Sequence, residues 1–370
     1  MLFLAYSRTG NLFVAGLVLF IEYGVYTLTF LVAPIVDRVK DKRTILLICY
    51  PLQAITAAIL AEQLTAGTLS TAVLLAAVLA LATLWDFVWV VQMVVPRLVV
   101  PPRLLFAADG LSGAIGTGYQ VAGYAGGGAL VYLVGPEGGV SAYAILLIAA
   151  LAAAIPLVLT GAQAPKERFR EAFARGWEAF RGAAGRVLRQ WASIEVVYGF
   201  FSAFVPLLIT AIAYEEFTDP SAVYGVLVTA EVLGGAVAGV VAGHYNPRRY
   251  VGALLVASPL VAGGAILSLL AVPGELAGLG ALLALAGAAI GVRYTAKYSW
   301  VRGIFAPERL GRAISNIYFF TGAASSIAAV SLGALSTAIG VPAVIALSGV
   351  GLAIAGLLAL SLPLVRSLKY

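Results

Sequence analysis

Residues 12–43 read LFVAGLVLFIEYGVYTLTFLVAPIVDRVKDKR: an apolar run over 12–36, then a loop in which Arg38, Lys40, Lys42 and Arg43 fall within six positions. Wound as a helix, the run is long enough to cross a hydrocarbon core of about 30 Å. The same alternation of long apolar run and short loop continues to the C-terminus. Of 370 residues 62% are hydrophobic and 11% charged, against about 25% charged in a soluble chain, and mean hydropathy is +1.00. A water-soluble fold has no interior large enough to hide that surface. The runs do not alternate residue by residue as barrel strands must, so the chain is read as an all-α membrane protein.

Eleven complete spans are expected, near residues 12–36, 44–63, 70–95, 107–133, 140–160, 192–213, 223–243, 251–272, 277–301, 313–337 and 340–363. Loops 37–43, 97–103, 161–190, 244–250 and 302–312, with the C-terminal tail, hold 20 of the 23 Lys and Arg. The alternate loops hold none, and carry Glu62, Glu137, Glu215, Glu216, Asp219 and Glu275 instead. The basic set is therefore placed in the cytoplasm, with the C-terminus inside and the chain multi-pass in the cell membrane. The net charge of +6 follows from this topology, and no nucleic-acid partner is expected. Domains are read as 1–160, 161–191 and 192–370. The middle one is an amphipathic cytoplasmic linker, with Phe169, Phe173, Trp177, Phe180, Val187 and Trp191 at near-helical spacing among arginines.

Cys49 is alone and lies inside an apolar run, and the single His244 sits beside Pro247, Arg248 and Arg249. Neither a disulfide framework nor a metal site is expected, and no cofactor. No nucleotide-binding loop or Ser/His/Asp grouping is present, so the chain is not read as an enzyme.

The chain contains a repeat. Lys42-Arg43 matches Arg248-Arg249, and Arg103-Leu104 matches Arg309-Leu310, each pair 206 positions apart. Gly16 precedes Glu22 by six residues, and Gly225 precedes Glu231 by six. A duplicated helical bundle is the simplest explanation.

The stretch Ala33-Pro-Ile-Val-Asp37-Arg38-Val-Lys40-Asp-Lys42-Arg43 resembles the loop Gly-x-x-x-Asp-Arg-x-Gly-x-Arg-Arg of the major facilitator superfamily, with Ala33 and Lys40 replacing its glycines. Pro96-Arg97-Leu98-Val99 through Ala107-Ala108, and Ala306-Pro-Glu-Arg-Leu-Gly-Arg312, look like its drug- and siderophore-exporter branch. Gly123-Tyr124-Ala125-Gly126-Gly127-Gly128 is similar to the family's antiporter motif, with Tyr124 in place of proline. The resemblance implies two pseudo-symmetric bundles and secondary transport. It also implies twelve helices, so that the first is missing or truncated and Leu2 to Tyr6 is its outer end, a misassigned start being preferred over a natural eleven-helix form. Asp37, Arg38 and Arg43 would form an inner latch, Asp37 reaching the start of the penultimate span. Asp86 and Arg293 would face each other across a central cavity.

Glu22, Asp86, Glu231, Arg293 and Lys297 lie inside spans. Each costs about 2.5 to 3.5 kcal/mol at a helix centre, so they are expected to face a wet cavity or one another. Structural ion pairing and interhelical hydrogen bonding are the plain readings, and substrate binding or proton coupling the sharper ones. Trp85, Trp89, Tyr198, Phe201, Phe204, Tyr294 and Tyr298 are candidate walls, though aromatic residues at helical spacing also serve simple packing. The expectation is a monomeric, proton-coupled exporter of small apolar or amphipathic molecules in the lipid bilayer. A metabolite importer, a lipid scramblase or sensor, and an inactive truncated form are the alternatives.

Overall fold

A computed structural model describes residues 1–101, 105–159, 182–244, 250–304 and 307–362. A short helix α1 (Leu2–Thr9) ends on Gly10, whose φ of 59° lets the chain turn back. The Asn11 side chain then accepts the Phe13 N–H at 2.8 Å and starts α2 (Leu12–Thr27). A break at Leu28 separates α2 from α3 (Thr29–Arg38), and the two are bent by 48°. Here the Thr29 hydroxyl lies 2.6 Å from the Tyr26 carbonyl oxygen, a local bond that competes with the helical ladder.

Then come α4 (Arg43–Thr65), α5 (Thr71–Val99), α6 (Leu105–Ala154), α7 (Gly182–Ser202), α8 (Val205–Glu216), α9 (Pro220–His244), α10 (Val251–Ser268), α11 (Leu276–Ile304), α12 (Pro307–Ile339) and α13 (Val341–Ser361). Among the described residues nine helices are long and apolar enough to cross a membrane, and the bent α2–α3 pair makes a tenth crossing. Gly135 (φ 74°, ψ 170°) interrupts α6 just before Pro136. The two arms pack on different partners: Gly128 meets α9, while Ala144 and Leu147 pack on Ala54 and Ala57 of α4. The two arms lie where separate spans over 107–133 and 140–160 were expected.

Glu62, Glu137, Glu216 and Glu275 mark one end of these helices, the acidic end, and the loop at residues 39–42 marks the other, the basic end. The two halves of the chain meet along two seams, α2 on α12 and α6 on α9. Glycine makes both seams possible. A Cβ on Gly16 would collide with the Ala329 carbonyl oxygen, and one on Gly333 would lie 2.6 Å from the Leu12 carbonyl oxygen. In the second seam a Cβ on Gly128 would lie 2.8 Å from the Gly225 Cα. The matched glycines of the sequence repeat, Gly16 and Gly225, thus sit one in each seam, where only a missing side chain permits such close backbone approach. Outward, Ile48, Leu52, Ile55 and Ile59 of α4 form an exposed stripe at helical spacing, as lipid contact requires.

One expectation about the linker changes. Residues 160–181, with Phe169, Phe173, Trp177 and Phe180, lie outside the described residues. Trp191, however, belongs to α7, is wholly buried, and packs with Ile194, Val251 and Leu255. Its indole is therefore core of the C-terminal half, and α7 runs unbroken from Gly182 through the expected domain boundary at 191–192.

Candidate functional site

A cavity of about 610 Å³ opens inside the N-terminal half, within the usual range of about 300 to 1,000 Å³ for small-molecule sites. Glu22, Tyr23 and Tyr26 reach it from α2, Trp85 and Asp86 from α5, and Gly127 and Tyr143 from the two arms of α6. Met1 and, from α1, Phe3 and Leu4 also line it. Phe3 stacks at 5.0 Å on Tyr214 and at 5.3 Å on Tyr224, so α1 ties the cavity wall to the C-terminal half. Tyr6 on Tyr214, also at 5.0 Å, extends that seal.

Asp86 in the lining is 2% exposed. Its Oδ1 lies 2.6 Å from the Thr29 hydroxyl, placed there by the α2–α3 break. Its Oδ2 is buried without a hydrogen-bond partner. Such an atom forgoes hydration without compensation, which is costly unless a ligand or water supplies a donor. Glu22 faces the same space, one turn before Tyr26. Glu231 of α9 is not in the lining.

The second polar centre is entirely in the C-terminal half. Glu195 of α7 receives Arg293 Nη2 at 2.6 Å, Lys297 Nζ at 3.2 Å and the Trp191 indole N–H at 2.8 Å. Arg293 also donates to the Leu255 carbonyl at 3.2 Å and stacks 4.2 Å above the Tyr198 ring. Lys297 lies 5.0 Å from the Tyr294 ring centre and 5.4 Å from that of Tyr318. Tyr318 meets Tyr26 edge-on at 5.6 Å, linking this centre to the cavity wall.

The structure thus corrects the expected pairing of Asp86 with Arg293. Arg293 is engaged by Glu195, three of whose acceptor positions are filled within its own half, and Asp86 is engaged by Thr29. Arg293, Lys297, Tyr294 and Trp89 are not part of the cavity lining; Trp85 supplies the indole there. Glu195 went unread because it lies close to the start of its span, although Trp191 and Glu195 at i, i+4 and a basic pair at i, i+4 on α11 carried the signal. Of the glycine motif, Gly123 and Gly127 have open space around them, and only Gly128 makes a seam.

At the basic end, Lys42 is buried and its ammonium donates to the carbonyls of Val36 at 2.7 Å, Asp37 at 3.1 Å and Val39 at 2.7 Å. It closes the C-terminus of α3, where unsatisfied carbonyls and the helix dipole favour a cation. Arg43 donates to the Ile155 carbonyl at 3.0 Å and pairs with Asp41 at 3.4 Å. Arg38 is exposed and Asp37 half-buried. The α12 side chains that Asp37 was expected to reach lie outside the described residues.

The helices of the two halves, joined along the α2–α12 and α6–α9 seams, form one all-α fold. Solved structures agree: the chain is similar to the crystal structure of nucleoside transporter NupG, with TM-score 0.73, 12% identity, and 95% of this chain and 90% of that one covered. A mutant of NupG gives TM-score 0.74 at 12% identity, covering 95% and 91%. At that identity the likeness concerns the fold. No protein-family model matches the sequence, and no curated protein does.

Proposed function

We propose that this chain is a secondary transporter that carries a small apolar or amphipathic molecule across the membrane by alternating access, with protons exchanged at Glu22 and Asp86. The observation that carries the reading is the pair of carboxylates in one membrane-embedded cavity whose remaining wall is aromatic and aliphatic. Two such groups are expensive to keep in the apolar phase unless they are used. The fold supports it as well, since NupG is a transporter and the glycine seams supply surfaces on which two bundles can rock.

In this cycle the basic end faces the cytoplasm, in keeping with the distribution of Lys and Arg. Asp37, Arg38 and Arg43 hold the inner gate, and the Gly16 and Gly225 seams hold the outer one. Export is the preferred direction. Uptake is the second reading, favoured by Tyr124, which stands where the antiporter motif has proline.

Reconstituted proteoliposomes carrying a preset proton gradient test the proposal with a panel of amphipathic compounds and metabolites, nucleosides included. A transported compound dissipates the gradient in wild-type vesicles, and Asp86→Asn or Glu22→Gln abolishes gradient-driven movement. Full gradient-driven transport in both variants removes these carboxylates from the mechanism.

A further inference from the structure

We propose that Gly127 sets the bulk limit of the cavity, the bare backbone of α6 at that position receiving the apolar body of the transported molecule. The inference rests on the carrier reading above and names the residue that selects its substrate by size.

Three consecutive glycines of α6 meet three different surroundings. Successive residues of a helix are turned by about 100°, so Gly126, Gly127 and Gly128 point in three directions. A Cβ on Gly128 would lie 2.8 Å from both the Gly225 Cα and the Ser221 carbonyl oxygen, in the seam with α9. A Cβ on Gly126 would meet nothing within 4 Å, and that residue is exposed and outside the lining. A Cβ on Gly127 would also meet nothing within 4 Å, yet Gly127 belongs to the cavity wall together with Leu130 and Val131. Those two are its i+3 and i+4 neighbours, which share its helix face. A side chain at 127 would therefore enter the cavity, whereas one at 126 or 128 would not.

The room is particular to this position. Gly139, the other glycine of the wall, has its space taken by Val131, whose Cγ2 would lie 2.7 Å from an added Cβ. Glycine inside a helix is less stable than alanine. At Gly128 close packing on α9 offsets that loss. At Gly127 no protein atom does, and a glycine is what lets a ligand come up against the backbone. The α2 and α5 walls supply Tyr23, Tyr26 and Trp85, surfaces that bury apolar groups well. The thickness of a body seated between these rings and α6 is then limited by whatever residue 127 carries.

The test uses three neutral probes with one head group and one, two or three fused rings: benzyl alcohol, 1-naphthylmethanol and 9-anthracenylmethanol. Binding to the purified full-length chain in detergent is measured by equilibrium dialysis, with the protein-free micelle as blank. The wild type is compared with Gly127→Ala, Gly127→Val and the control Gly126→Val, and melting temperature is read on the same samples. Gly127→Val is expected to weaken the largest probe that binds the wild type by at least about tenfold, while benzyl alcohol stays within about twofold. Gly126→Val puts the same side chain one residue away and is expected to leave every probe within about twofold. Where Gly127→Val unfolds, Gly127→Ala carries the comparison, with a loss of at least about threefold confined to the larger probes. Equal losses for all probes, equal losses at 126 and 127, unchanged affinities in both 127 variants, or a wild type that binds neither of the larger probes overturns the inference. In proteoliposomes, equal transport of large and small compounds by the wild type and Gly127→Val overturns it while leaving the carrier reading in place. A wild type that moves no compound removes both.

Discussion

Removing Glu195 should be far more damaging than removing the whole charged centre to which it belongs. In Glu195→Met the Arg293 guanidinium and the Lys297 ammonium, 3% and 5% exposed, lose their shared carboxylate without gaining water. Deleting one member of a buried ion pair costs about 3 to 5 kcal/mol, most of it the penalty on the charge left behind. For a folding unit the size of the C-terminal half, with about 2 to 4 °C per kcal/mol, the expected fall in melting temperature is about 6 to 20 °C. The triple variant Glu195→Met, Arg293→Met, Lys297→Met leaves no buried charge in that centre, and apolar replacement of such centres is often neutral or better. It should therefore melt closer to the wild type than Glu195→Met alone. Thermal unfolding in detergent, followed through the fluorescence of Trp191 and the other indoles, reads both. A shift below about 3 °C in the single variant, or a triple variant at the sum of its three singles, would refute the claim that these groups act as one unit.

Gly16→Ala should prise α2 from α12 at the acidic end, because its methyl group would enter the Ala329 carbonyl; increased labelling of cysteines placed near Leu12 checks this. Gly127→Ala, whose methyl group meets nothing within 4 Å, should leave labelling unchanged and stabilise α6 by up to about 1 kcal/mol. Lys42→Met strips a cation from three carbonyls at the end of α3, and at about 1.5 to 3 kcal/mol per charge-assisted bond it should lower unfolding stability by at least about 2 kcal/mol. Unfolding no easier than in the wild type would show that the cap is dispensable.

What could be read from residues alone was whatever follows from the solvent. Lipid dictates apolar length and basic loops, so the spans and the Gly135-Pro136 break were visible before any coordinates. The matched Gly16 and Gly225 were visible too, since close backbone approach leaves a compositional trace. The cost of charge in lipid likewise singled out Glu22 and Asp86, which share one cavity. Pairing was not legible. The repeat offset put Asp86 opposite Arg293, but whether two charges meet depends on the rotation of each helix about its axis, and an apolar helix with little amphipathicity does not encode that rotation. The Leu28 break was equally hidden, for no Gly or Pro occupies it, and a threonine hydroxyl helps to make it. Lys42 looked like one more loop cation, and only the curl of the chain after Arg38 turns its ammonium beneath three carbonyls.

The Thr29 hydroxyl owns a single proton and sits 2.6 Å from two takers, the Asp86 carboxyl and the Tyr26 carbonyl. While Asp86 is ionised it claims that proton, and the Tyr26 oxygen at the elbow loses a donor. Once Asp86 carries its own proton it becomes a giver, and Thr29 is released to clasp Tyr26. Under the proton exchange proposed above, loading the carboxyl rewires the joint between α2 and α3, and the chemistry of one side chain reaches the backbone of a helix that lines the boundary between the halves.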